Sequence, residues 1–322
     1  MFVGHALLAF AVVALLGERL DWDRGFVLRA AALAGLFAML PDVDVVYGLA
    51  GLAGTAGAPG AVDAFWAASN RVHRGVTHSL VVAGAVALAV AALGARERAS
   101  SLVAFGLLTG VIAVATAVSG PVAGAVTLLF VAGALGLVVL GRVLALPGRT
   151  IASAAALGLG SHPFGDLFTG TPPAMAYPLD VTLVAERVTL AADPTLHLLG
   201  AFAVELAVVW LALVAACRLL DCRVRDQVDR RAAVGVAYGA AALALPAPTL
   251  DVAYHFVFSV LAVGAVGFVT PAFAGRSDAR ASWSSLARVP RVRPVVSARS
   301  VGTALATVTV AAAAYASTYL VL

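Results

Sequence analysis

The sequence predicts an all-α fold: a polytopic bundle of transmembrane helices with about 8–10 membrane segments. Three observations carry this expectation. The 322 residues are 62% hydrophobic and only 12% charged, where a soluble globular chain is about a quarter charged. Mean hydropathy is +1.00. Apolar runs of roughly 20 residues or slightly fewer, the length that crosses a bilayer, recur from one end of the chain to the other. They are continuous rather than alternating in short segments, which argues against a β-barrel.

Taken in order, apolar segments are expected at about 1–17, 26–40, 78–94, 101–118, 121–141, 150–166, 196–216, 232–246, 252–271 and 301–322. The first has the apolar core of a signal peptide. No basic residues precede it and "LLGERLD" is a poor cleavage site, so it is read as a retained helix. The second and sixth are short for a full crossing, so eight spans plus two partial ones also fit. Gly106/Gly110 and Gly120/Gly124 have the small-xxx-small spacing of closely packed helices. The longest polar stretch, 272–300, is Arg- and Ser-rich and contains "RVPRVRP". Cys217 and Cys222 suit neither a disulfide framework nor a zinc ribbon and are expected to be a reduced, structural pair.

The sequence pI is about 9.5, yet a nucleic-acid partner is excluded by where the charge sits. All 21 basic residues are arginines. All but Arg71, Arg74 and Arg187 fall in the loops 18–29, 95–100, 142–149, 217–231 and 272–300. The positive-inside rule places those loops in the cytoplasm, and both termini with the remaining loops outside a plasma or inner membrane.

That topology, obtained without any histidine or aspartate, brings a set of them to the outer side. His5 lies near the outer end of the first segment. "LPDVD" sets Asp42 and Asp44 two apart after Pro41; they can approach one ion, flank two, or merely solvate a helix end. In "HRGVTHSL" Thr77 is expected as an N-cap with His78 in the first helical turn. Gly75 would let the backbone bend His73 back beside His78, and Arg74 is expected to face an anionic group. "SHPFGDLFTG" carries His162 and Asp166 at i, i+4, on one helical face. Two histidines with a carboxylate suit Zn, Mn or Fe better than Mg alone, and Pro163 at membrane depth is tolerated beside a cavity. His197 near Asp193, the pair Asp251/His255 and mid-helix Glu205 are weaker candidates.

In their order, "VGH", "LPDVD", "HRGVTHSL" and "SHPFGDLFTGTPPAMAYPL" resemble the membrane-bound metal-dependent hydrolase family, also described as LexA-regulated inner-membrane hydrolases. The resemblance covers roughly residues 1–94 and 150–215. It implies metal-site roles for His5, Asp42, Asp44, His73, His78, His162 and Asp166. Two departures stand out: an apolar hairpin at about 101–145 reads as an insertion, and Val45 stands where the family pattern often has a histidine. The domain reading is therefore a hydrolase-like membrane domain over 1–216 with that inserted hairpin, and additional transmembrane helices over 217–322. Lipid phosphatases with a histidine nucleophile also end a motif in H-x-x-x-D. They need an arginine where this chain has Ala156, and a lysine, which the chain lacks.

The function expected is a membrane-embedded hydrolase that uses one or two divalent ions, Zn or Mn, on a lipid, phosphoester or other amphiphilic ester. Arg74, His78 and Asp166 are its expected catalytic residues. The competing class is a non-enzymatic transporter or metal-binding membrane protein. A transporter would place ionisable residues at helix middles in related halves, whereas here they gather at one side.

Overall fold

The computed structural model describes residues 2–53, 60–95, 97–268 and 297–322. Most of the Arg-rich loop expected at 272–300 lies outside the described residues, as does the side chain of Asp251. The chain is an all-α membrane protein, with no strand among the described residues. Its α-helices are α1 (Phe2–Arg19), α2 (Arg24–Met39), α3 (Gly48–Leu52), α4 (Ala61–Ser69), α5 (Leu80–Gly94), α6 (Arg98–Val143), α7 (Gly148–Gly165), α8 (Pro194–Leu219), α9 (Ala241–Ala244), α10 (Ala253–Gly264) and α11 (Ala298–Val321).

Among the described residues, four helical stretches are long and apolar enough to cross a membrane: Arg24–Leu52, Arg98–Val143, Pro194–Leu219 and Ala298–Val321. The second of these is two of the expected segments in one. Straight, its 46 residues would run about 69 Å, more than twice a hydrocarbon core of about 30 Å. Gly120, at φ 85° and ψ 177°, breaks it just before Pro121. Only glycine reaches that backbone region without strain. The two halves then fold back on each other so closely that a Cβ on Gly124 would stand 2.1 Å from Thr116 Oγ1.

Contacts divide the described chain into two compact units, 1–190 with 207–220, and 191–206 with 221–322. In the first, α1 packs on α2, α2 and α5 on α7, and α5 on α6. Their shared core includes Leu33, Phe37, Val86, Phe130, Ala155 and Leu159, all buried. Small residues let the backbones close up: a Cβ on Gly158 of α7 would lie 2.6 Å from Ala34 O and 2.7 Å from Ala38 N of α2. This packing matters for the site, because it brings the C-terminal ends of α2 and α7 together.

The second unit packs α11 against α10 and against a 3₁₀ stretch, Arg230–Ala240, that leads into α9. The apolar segment expected at 232–246 is therefore mostly 3₁₀ rather than α. Its small residues Ala232, Gly235 and Gly239 are buried, and a Cβ on Gly235 would meet Thr307 O of α11 at 2.4 Å.

Candidate metal centre

The seven histidines and aspartates singled out from the sequence converge at one end of the first unit. His5 comes from the start of α1. Asp42 and Asp44 lie in a 3₁₀ turn, Leu40–Tyr47, which Pro41 opens where α2 stops. His73 and His78 flank the bend before α5, and His162 and Asp166 sit at the last turn of α7. His5, Asp44, His78, His162 and Asp166 are buried. Asp42 and His73 are nearly so, with side chains 10% and 13% exposed, and they mark the side that water reaches.

Four side chains point at one another without hydrogen bonding. His78 Nε2 lies 3.6 Å from Asp42 Oδ1 and 3.3 Å from Asp166 Oδ2. His162 Nε2 lies 3.5 Å from Asp42 Oδ1 and 3.7 Å from Asp166 Oδ2. Both imidazole nitrogens, Asp42 Oδ2 and Asp166 Oδ2 are buried polar atoms without a hydrogen-bond partner. Each such atom costs about 1–3 kcal/mol if nothing compensates it. Metal bonds of about 2.0–2.1 Å in a tetrahedron set neighbouring ligand atoms about 3.3–3.4 Å apart. The observed spacings are those of donors arranged around an ion rather than of donors bonded to each other.

The surroundings orient these rings. His162 Nδ1 donates to Ala38 O at 2.6 Å, which leaves Nε2 as the lone-pair nitrogen. Thr77 Oγ1 donates to Asp44 Oδ2 at 2.8 Å and stands 2.9 Å from His78 Nδ1. With the threonine proton directed at the carboxylate, His78 Nδ1–H donates to the hydroxyl, and its Nε2 also faces inward. Asp44 Oδ1 accepts from His73 Nδ1 at 2.9 Å. His5 Nε2 lies 3.3 Å from Asp166 Oδ1, its ring 3.9 Å from that of His162. The same residues form two trios that could each hold an ion, His5–His162–Asp166 and Asp42–His73–His78.

Several local expectations are corrected. Ser79, not Thr77, caps α5: its extended backbone lets the hydroxyl accept from Val81 N and Val82 N. His78 accordingly precedes the helix in a 3₁₀ turn, Val76–His78, and Thr77 is released to link Asp44 with His78. The tight bend falls on Arg74, at φ 64°, one residue before Gly75. His73 does return beside His78, with ring centroids 5.0 Å apart. The anionic group that Arg74 meets within the chain is the Asp166 carboxylate. The guanidinium donates to the carbonyls of Thr169, Thr171 and Asp166 and to Thr169 Oγ1, and reaches Asp166 Oδ1 at 3.4 Å. The carbonyls beyond α7 have no helical partners, and a cation with five donors satisfies several of them at once.

Sequence reasoning missed Gly165, whose absent side chain makes room for a ring: a Cβ there would lie 2.5 Å from His5 Cε1. The glycine in "HPFGD", directly before the aspartate, was the available signal. It also missed Thr77 as a hydrogen-bond bridge.

Burial alone would lower the pKa of His78. The carboxylates of Asp166, Asp42 and Asp44 around the ring outweigh it and push the value up to about 10. Burial would raise Asp166, but the nearby His5 and His78 rings and the charge of Arg74 hold it well below the usual carboxylate range. A site that favours cationic histidine among anionic carboxylates is one where a divalent cation meets complementary charge.

The weaker candidates belong to the second unit. Asp193 Oδ1 accepts from Leu196 N at 2.8 Å at the start of α8, and its Oδ2 accepts from Tyr319 at 3.1 Å. His197 is buried, Glu205 is half-buried, and the His255 ring lies 4.0 Å from that of Tyr254.

Fold and site together define an α-helical integral membrane protein with a buried His/Asp cluster that could hold a metal ion. A family model, YdjM inner membrane protein, matches residues 1–224, and the chain belongs to that family. Its description names the inner membrane and no reaction. No curated protein and no solved structure matches the chain.

Proposed function

We propose that this protein is a membrane-embedded, metal-dependent hydrolase whose centre faces the extracytoplasmic side and acts on a lipid or another phosphoester. The observation that carries the reading is the set of facing atoms of Asp42, His78, His162 and Asp166, spaced at 3.3–3.7 Å, of which His78 Nε2, His162 Nε2 and Asp166 Oδ2 are buried and unpaired. Mixed imidazole and carboxylate donors favour Zn or Mn. A divalent ion held there would polarise a phosphoryl or acyl oxygen and make water nucleophilic near pH 7, which is about where such sites operate. These four residues would hold it. With a second ion, His5 would join His162 and Asp166, and His73 would join Asp42 and His78.

The remaining residues act by position. Asp44 and Thr77 aim His78, the Ala38 carbonyl aims His162, and Arg74 fixes Asp166 and the segment after it. The arginine-poor loops around the cluster support the extracytoplasmic placement, where membrane lipids and amphiphilic esters are at hand.

The test is elemental analysis of detergent-purified protein beside His78→Ala and Asp166→Ala, followed by a panel of lipid phosphoesters and acyl esters. About one or two Zn or Mn per chain, lost in both variants, with hydrolysis of at least one class, is the expected result. Stoichiometric metal without hydrolysis would transfer the site to a non-enzymatic metal-binding or transport role. No metal after incubation with each ion would overturn both.

A further inference from the structure

A cavity of about 330 Å³ lies against the outer side of the Val76–His78 turn, at the small end of the range that holds ligands. Thr77, which bridges Asp44 and His78, forms part of its wall. The α6 hairpin lines it too, with Ser119 just before its break and Val122, Ala123 and Val126 after it. The lining therefore combines polar groups with the apolar residues of one helix, and it contains no acidic residue.

One cation lines the cavity, Arg71. Arg74 is fully engaged with the 166–171 segment, whereas the Arg71 side chain has no hydrogen bond or ion pair among the described residues. In the same lining, Ser119 Oγ donates to Tyr177 OH at 3.1 Å, leaving the phenol's own proton available to an acceptor. A planar guanidinium and a phenol O–H suit the oxygens of a phosphate. The valines alongside suit an alkyl chain, and Val122 is itself 39% exposed.

We infer that this cavity binds a single anionic amphiphile, a phosphate-bearing lipid, with its phosphate on Arg71 and its chain along Val122 and Val126. The inferred substrate class rests on the hydrolase reading; the binding does not. The inserted hairpin thereby has a task, since it supplies the apolar wall.

Native mass spectrometry of the full chain in a neutral detergent, with dihexanoyl phosphatidic acid as probe, tests this. Wild type is expected to bind one molecule per chain and the matching phosphatidylcholine much more weakly. Arg71→Gln removes a charge-assisted bond and should weaken binding about tenfold or more. Val126→Trp, which fills the apolar side, should do the same. Both variants should keep the wild-type metal content, which shows them folded and separates this inference from the metal-centre reading. Wild type without bound lipid, or lipid binding unchanged in both variants, overturns the inference. Inorganic phosphate competing as well as the lipid would also overturn it, because the chain would then add nothing.

Discussion

His162 Nδ1 stands 2.6 Å from the carbonyl oxygen of Ala38, 124 residues earlier in the chain. The bond joins the last turns of α7 and α2 and decides which nitrogen of His162 faces the other ligand atoms. It exists because Gly158, one turn back, lets α7 approach α2 closely. Helix packing and ligand orientation are here one property.

Gly158→Ala should therefore damage both. Its Cβ would meet backbone atoms of α2 at 2.6–2.7 Å, which cannot turn aside as a flexible side chain can. A loss of about 1–3 kcal/mol in stability is expected, seen as a lower Tm in detergent, together with weaker metal binding. An unchanged Tm would mean that the α2–α7 contact is looser than described.

Asp44→Asn removes the anionic acceptor of His73 and Thr77 and with it the aim of His78. Loss of such an orienting partner typically costs about 10–100-fold in metal affinity, and chelator competition would measure it. Thr77→Val should move affinity in the same direction, since Asp44 and His78 lose their shared hydroxyl. Wild-type affinity in both variants would remove the orienting role.

Arg74 holds three carbonyls and the Asp166 carboxylate. Arg74→Ala should loosen the segment after α7, so limited proteolysis between residues 169 and 190 should accelerate. Arg74→Lys should not restore protection, because an ammonium lacks the planar fork. Full rescue by lysine would reduce the contact to simple charge.

The pH dependence follows from His78, raised from 6.5 to about 10. A group raised in the folded state stabilises it fully below 6.5, and that contribution is lost as pH rises through about 10. Asp166, shifted down, contributes above 3.8 and loses its contribution as pH falls below that value. Metal-stripped protein should thus lose stability from neutral to alkaline pH. Metal affinity should run the other way, rising by up to about tenfold per pH unit for each proton displaced. Calorimetry in two buffers of different ionisation enthalpy would count those protons; none released would contradict protonated His78.

Gly165→Ala places a methyl 2.5 Å from His5 Cε1 and should push that ring off Asp166. Lower metal occupancy in this variant, matched by His5→Ala, would assign His5 to the ligand shell. Full occupancy in both would leave it a packing residue.

Much of this was legible from the chain. Composition and continuous apolar runs settle the helical membrane class, because only a helix satisfies its own backbone in lipid. The i, i+4 spacing of His162 and Asp166 sets their side chains 3.7 Å apart, and His162 there meets Asp42. A sequence can show that ionisable residues collect at one end of a bundle, since their burial there needs partners. What the tertiary structure alone decided is which atoms face inward and which cations remain available. Ser79 rather than Thr77 caps α5, and Arg74 rather than Gly75 takes the left-handed bend. The arginine left uncommitted in the cavity wall is Arg71. Each outcome depends on competition between groups far apart in the chain for the same few hydrogen bonds, and helix packing, not local spacing, decides that competition.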